Sequence, residues 1–309
     1  MVMSVADINI HGGVLLRVFV TGATGFIGSA VVRELLRSGH QVVGLARSDE
    51  AAASLIAAGA EVRRGDLDDP DRLRDAAAAA DGVIHMAFIH DFADYGHAAE
   101  ADRRAIETMG DALVGSNRPF VVTSGTGGLA PGRVVTEDDD VTSPNLPRVS
   151  EQTASTLADR GVRVAVVRLP PSVHGEGDHG FVPRLVTIAR EKGVSGFPGD
   201  GGNRWAAVHR VDAARLFRLA LDSAPAGARL HGVADEGIPV RDIAEIIGRH
   251  LRLPVTAVPP EQVEAHFGWL GAFFSMDIPA SSSQTRERMG WRPVEAGLIP
   301  DLDAGHYFR

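Results

Sequence analysis

The chain has 309 residues, 44% of them hydrophobic, and a formal net charge of −9, enough for a large core built as one α/β domain with a smaller lobe or as two domains. No run of about 18 apolar residues marks a membrane span, no basic stretch before an apolar core marks a secretory leader, and the acidic balance argues against a nucleic-acid footprint. Cysteine is absent, which excludes disulfides, thiolate nucleophiles and cysteine–zinc sites and, with no targeting signal, makes the cytoplasm the expected address.

Residues 1–13 carry Gly12-Gly13 and no periodicity, and read as a disordered N-terminal extension. Leu15 to Val20 is an apolar run that predicts a buried strand. Gly22, Gly25 and Gly28 follow at every third position, and Ile27, Val31, Val32, Leu35 and Leu36 then fall on one face at helical spacing. A strand, a tight glycine turn and a helix N-terminus form a pyrophosphate site. Helix-end N–H groups and the macrodipole favour the anion, and missing side chains let phosphates approach the backbone. Gln41 to Leu45 is the second strand, and Asp49 to Ala58 a helix with Asp49 near its cap. Glu61 to Arg64 is a short strand. Pro70 opens a helix through Ala79, capped by Asp69 or Asp68. Val83 to Ala87, Phe120 to Thr123 and Val162 to Val167 are further strands, alternating with helices over Ala98 to Val114 and Ser150 to Asp159. This order predicts an α/β fold with a doubly wound parallel sheet. Its ligands belong at the carboxyl ends of the strands, where Gly22, Arg47, Asp66, Met86 and Ser124 fall.

The alternation fails after Val167. Pro170-Pro171, Gly175, Gly177, Gly180, Pro198-Gly199 and Gly201-Gly202 mark a loop-rich insertion. Asp212 to Leu221 is a helix that returns to the sheet, and Val240 to Leu251, Pro260 to Phe274 and Ser281 to Met289 are helices of a smaller lobe. The expected organisation is a dinucleotide-binding domain over 14–170, rejoined by 206–235, with 171–205 and 236–309 as a substrate-binding lobe.

Thr21-Gly22-x-x-Gly25-x-x-Gly28 resembles the extended and atypical short-chain dehydrogenase/reductases, the broad epimerase/dehydratase family with a Rossmann fold. Asp66-Leu67 resembles the pair that meets adenine, Ile84-His85-Met86-Ala87 the strand-four end beside the cofactor, and Val122-Thr123-Ser124 the strand-five serine motif. Arg168 with Val173-His174-Gly175, Val208-His209-Arg210-Val211-Asp212-Ala213 and Arg288-Met289-Gly290-Trp291-Arg292-Pro293 resemble the family's later signatures. The resemblance implies a dinucleotide held by Gly22, Thr24, Gly25, Phe26, Ile27, Gly28, Met86, Ala87, Thr123, Arg148 and Val173, and a homodimer through Ala98 to Val114 and Ser150 to Asp159. An acidic residue after the second strand would bond the ribose 2′-hydroxyl of NAD. Here the strand ends Ala46-Arg47-Ser48, and a planar, permanent cation suits a phosphate. Arg47 and Ser48 therefore favour NADP(H), with NAD(H) still open.

The family's usual acid/base is a tyrosine with a lysine four residues on. The stretch that should hold them reads Pro144-Asn145-Leu146-Pro147-Arg148-Val149-Ser150-Glu151-Gln152, and Lys192 is the chain's one lysine. The chain thus resembles an atypical subgroup with histidine-x-x-x-arginine instead, in which Arg148 matches the arginine and Pro144 stands at the histidine. The family's reactive serine falls at Gly125, leaving Ser124 and Thr126 beside it. Arg148 can hold a ribose or substrate oxygen but not give up a proton. His174, His209, His90 and Tyr95 are the candidate donors and substrate contacts. Phe181, Trp205, Phe267, Trp269, Phe273 and Phe274 either line an apolar substrate pocket or form the lobe's core. The acidic run Glu137 to Asp140 reads as a solvated face. No cluster has metal-ligand spacing, so no metal is expected. The leading expectation is an NADP(H)-dependent oxidoreductase acting on a carbonyl or alcohol of a small molecule. The alternatives are a nucleotide-sugar epimerase or dehydratase with bound NAD, and a non-catalytic NADP(H) sensor.

Overall fold

The computed structural model describes residues 14–89, 95–127, 129–141 and 149–309, with the side chain of Tyr95 left out. Strands and helices alternate from the start: β1 Arg17–Thr21, α1 Phe26–Arg37, β2 Gln41–Ala46, α2 Asp49–Ala58, β3 Glu61–Arg64, α3 Pro70–Ala78, β4 Gly82–His85, α4 Tyr95–Asp111, β5 Pro119–Gly125, α5 Ser150–Asp159 and β6 Arg163–Leu169. The second half runs β7 Ser172–His174, α6 Phe181–Lys192, β8 Ser195–Pro198, β9 Arg204–His209, α7 Arg210–Ser223, β10 Ala228–His231, β11 Asp235–Pro239, α8 Val240–Leu251 and β12 Val255–Val258. Four short helices follow, α9 Val263–Phe267, α10 Leu270–Phe274, α11 Ser283–Met289 and α12 Leu298–Asp303.

Seven strands form one sheet in the order β3-β2-β1-β4-β5-β6-β10. The ladders joining β3, β2, β1, β4 and β5 are parallel. The chain winds outward from β1 through β3, then crosses back to place β4 on the other side of β1. That reversal opens a crevice at the carboxyl ends of β1 and β4. Val18, Phe19 and Val20 are buried because the sheet is covered on both faces. This is the doubly wound α/β fold that the alternation predicts.

The chain divides into two compact units, 1–124 with 143–168 and 214–230, and 125–142 with 169–213 and 231–309. The second holds a sheet ordered β7-β9-β11 and a parallel pair of β8 with β12. Its core gathers Val182, Leu185, Val186 and Ile188 of α6, Ile243, Ala244 and Ile247 of α8, and Trp205.

Two expectations need correction. The stretch expected as a loop-rich insertion contains α6, whose apolar positions recur at helical spacing between Gly180 and Gly193. The helix expected over Pro260 to Phe274 is three short pieces, broken where Gly268 takes a φ of +60°. No helix among the described residues is long and apolar enough to cross a membrane.

Candidate functional site

The turn after β1 is shaped by what glycine lacks. Gly22 has a φ of +68°, and a Cβ there would lie 2.7 Å from the backbone nitrogen of Ala87. A Cβ at Gly28 would lie 1.9 Å from the carbonyl oxygen of Gly22, so α1 can pack on the turn only with glycine there. The Gly25 N–H closes the turn on the Gly22 oxygen at 3.0 Å. Gly25 caps α1 without a side-chain hydrogen bond, and the first turn carries no acidic residue. Thr24 and Gly25 are exposed, while Phe26 and Ile27 are half-buried. This cradle offers backbone donors, room and a favourable dipole, so it fits the pyrophosphate of a dinucleotide.

The neighbouring strand ends complete the edge. Arg47 is exposed after β2, and Ser48 rather than Asp49 caps α2, accepting from the Ala51 N–H at 3.1 Å. Asp66 is exposed and Leu67 buried after β3. Met86 and Ala87 are half-buried after β4, and Thr123 donates to the carbonyl oxygen of His85 at 2.9 Å. Ser124 is half-buried near the end of β5. His90 and Arg148 lie outside the described residues, as does the side chain of Tyr95.

Two buried polar assemblies behind this edge escaped the sequence reading. Thr21, His85, Asp102 and Ser150 form a continuous hydrogen-bonded chain, and none is more than 1% exposed. Glu151, in the first turn of α5, receives two hydrogen bonds from the fully buried Arg168, Nε to Oε2 at 2.8 Å and an η nitrogen to Oε1 at 2.5 Å. A signal was present: Asp102 sits on a helix face otherwise made of Ala98, Ala101, Ala105, Ile106 and Met109. A carboxylate at such a position demands buried partners.

The second unit places its candidates differently. His174 is fully buried, and its Nδ1 donates to Asp301 at 2.9 Å. Burial raises the Asp301 pKa, but the hydrogen bond from His174 and the neighbouring His306 and His209 outweigh it and leave Asp301 below the usual range. His209 packs edge-on against His174 with ring centroids 5.4 Å apart. Its Nδ1 accepts from the Val211 N–H at 3.3 Å, which leaves the proton on Nε2. Burial, reinforced by His174, lowers the His209 pKa. Tyr307 takes the Gly175 N–H and donates to Asp178, and burial beside that carboxylate pushes its pKa far up. Thr126 is buried with its hydroxyl and N–H on the Leu169 carbonyl, and Val173 is half-buried. Phe181 meets Phe273 at 5.0 Å and Trp269 at 6.1 Å. Trp205 is fully buried and Trp269 is 53% exposed. Phe267 and Phe274 belong to the unit's core.

The acidic run is not wholly a solvated face. Glu137 is buried and accepts both the N–H and the hydroxyl of Thr285, capping the start of α11. Among the described residues no group of three or more histidines and carboxylates could hold a metal.

The profile of the NAD-dependent epimerase/dehydratase family matches residues 18–140. An uncharacterized protein of Schizosaccharomyces pombe is 50% identical over 295 residues, spanning 95% of this chain and 100% of that one. The chain belongs to the NAD-dependent epimerase/dehydratase family. Within it, the 2-alkyl-3-oxoalkanoate reductase of Stenotrophomonas maltophilia is 29% identical over 246 residues, covering 74% of this chain and 73% of that protein. The crystal structure of the dTDP-glucose 4,6-dehydratase DesIV of Streptomyces venezuelae superposes with a TM-score of 0.75 at 23% identity, over 94% of this chain and 95% of that one. At that identity the likeness carries the fold.

Proposed function

We propose that the protein is an NADP(H)-dependent oxidoreductase that interconverts a carbonyl and an alcohol on a small organic molecule. The observation that carries this reading is Arg47, exposed just past β2, where recognition of an unphosphorylated ribose would call for a carboxylate. Its guanidinium pairs with a 2′-phosphate, and Ser48 still has its hydroxyl hydrogen to give to the same group. Asp66 and Leu67 meet the adenine, while Met86, Ala87 and Thr123 flank the nicotinamide end.

When bound, the reduced nicotinamide supplies the hydride, and the protein supplies position and charge. Arg148 and Ser124 hold the carbonyl oxygen as hydrogen-bond donors. In the second unit His209 is the candidate proton donor: its pKa is lowered by burial and its Nδ1 accepts, so the neutral imidazole carries its proton on Nε2. His174, anchored by Asp301, backs it. The half-buried Phe181 and Phe273 with the exposed Trp269 favour an apolar substrate body. The related 2-alkyl-3-oxoalkanoate reductase supports the same class, a ketone on an alkyl chain.

The test is NADPH consumption with a panel of alkyl and aryl ketones, comparing wild type with His209→Asn. Turnover with one ketone class, reduced about 10²-fold or more in the variant, is expected for loss of a general acid. Tightly copurifying NAD with conversion of a nucleotide sugar would move the protein to the epimerases and dehydratases. Binding of NADP(H) without turnover of any ketone would make it a sensor.

A further inference from the structure

The buried chain from Thr21 to Ser150 has a direction that its chemistry imposes. The backbone N–H groups of Met86 and Ala87 both point at the Thr21 hydroxyl oxygen, each at 3.2 Å, and Met86 shares its hydrogen with the Thr21 carbonyl oxygen at 3.3 Å. An N–H can only donate, so the oxygen's lone pairs are taken and its own hydrogen must go elsewhere. The acceptor is Nδ1 of His85 at 2.7 Å. His85 therefore carries its proton on Nε2, which donates to Oδ1 of Asp102 at 3.0 Å. The other carboxylate oxygen, Oδ2, accepts from the Ser150 hydroxyl at 2.5 Å. Thr21 ends β1 and His85 ends β4, paired in register. Asp102 comes from α4, and Ser150 opens α5.

What the chain holds in place is the wall of the glycine turn. The Met86–Ala87 backbone is the surface that a Cβ at Gly22 would strike, at 2.8 Å from the Met86 carbonyl carbon and 2.7 Å from the Ala87 nitrogen. Thr21 can accept from both amides only while His85 takes its hydrogen, and His85 presents a bare Nδ1 only while Asp102 takes the proton on Nε2. We propose that Asp102 and His85 are positioning residues for the dinucleotide. Acting through the Thr21 hydroxyl, they clamp the end of β4 against the Gly22 turn, and Ser150 orients the carboxylate from α5. This inference rests on the proposal that the turn takes a dinucleotide. It adds that affinity depends on a carboxylate two side chains removed from it.

Thr21→Val removes the hydroxyl at nearly constant shape, and Asp102→Ala removes the far end of the chain. Amide hydrogen exchange on the ligand-free protein reads the clamp directly. Both variants are expected to speed exchange at Ala87 most and at Met86 less, since Met86 keeps the Thr21 carbonyl, and Thr21→Ser, which keeps the hydroxyl, to restore it. In titrations with NADPH, each of Thr21→Val and Asp102→Ala is expected to raise Kd about five- to tenfold, the worth of one or two hydrogen bonds. The double variant is expected to bind like Thr21→Val alone, because the two act along one line. Fully additive losses, or folded variants with wild-type exchange at Met86 and Ala87 and wild-type Kd, would overturn the inference. Failure of the wild type to bind any dinucleotide would instead overturn the proposed function, and the exchange measurement separates the two cases.

Discussion

His209 and Asp301 are single residues whose folded environment changes what acid does to the protein. Both have pKa values below their ordinary 6.5 and 3.8. A group whose folded pKa is depressed contributes stability above its unfolded pKa and loses it as pH falls through the folded value. The second unit is therefore expected to lose stability in two stages. The first begins as pH drops below 6.5, when His209 of the unfolded chain protonates first, and the second below 3.8, when Asp301 of the unfolded chain does the same. Thermal unfolding from pH 7.5 to 3 checks this, pH values on the order of those two ordinary pKa values. His209→Asn should shrink the first stage, leaving the part that half-buried His266 supplies, and leave the second. Superposable pH profiles for the variant and wild type would contradict it. At this scale the glycine cradle was readable, because each glycine answers to a local steric demand. The roles of Asp102 and Glu151 were not, because their partners His85 and Arg168 come from other strands.

At the scale of elements, α5 is tied to the sheet by polar bonds as much as by packing. Ala154 and Leu157 are buried on it, yet its first two residues are Ser150 and Glu151, both engaged inside the unit. Removing one partner of a buried ion pair strips the other of its carboxylate counter-charge. Glu151→Ala is expected to cost about 3–5 kcal/mol in urea unfolding, while Glu151→Leu with Arg168→Met is expected to recover most of that. A single-variant cost below about 1 kcal/mol, the range of exposed pairs, would contradict the assignment. The helices over Asp49–Ala58, Ser150–Asp159 and Val240–Leu251 match the sequence reading to the residue because caps and periodicity are local signals. The pairing of β8 with β12 joins Ser195 to Val255, and no local pattern announces a contact between residues so far apart. Phe181 to Lys192 shows the opposite failure: its helical period was present, but the flanking glycines and prolines drew the reading toward loop.

At the scale of the whole molecule, the seven-stranded sheet and the family were legible from short motifs spread along the chain, since a doubly wound fold follows from the order of its strands and helices. Chemistry is less legible, because the tyrosine–lysine pair that usually reveals it is absent. The cofactor edge, and Arg47 above all, therefore carries the proposed function. The measurement to make is calorimetric titration of the purified protein with NADPH, NADP, NADH and NAD, for wild type and Arg47→Ala. A preference for the phosphorylated forms of about tenfold or more, collapsing in the variant, is expected for a charge-assisted phosphate contact. Equal or tighter binding of NADH and NAD, or a preference for NADPH that survives Arg47→Ala, would contradict it.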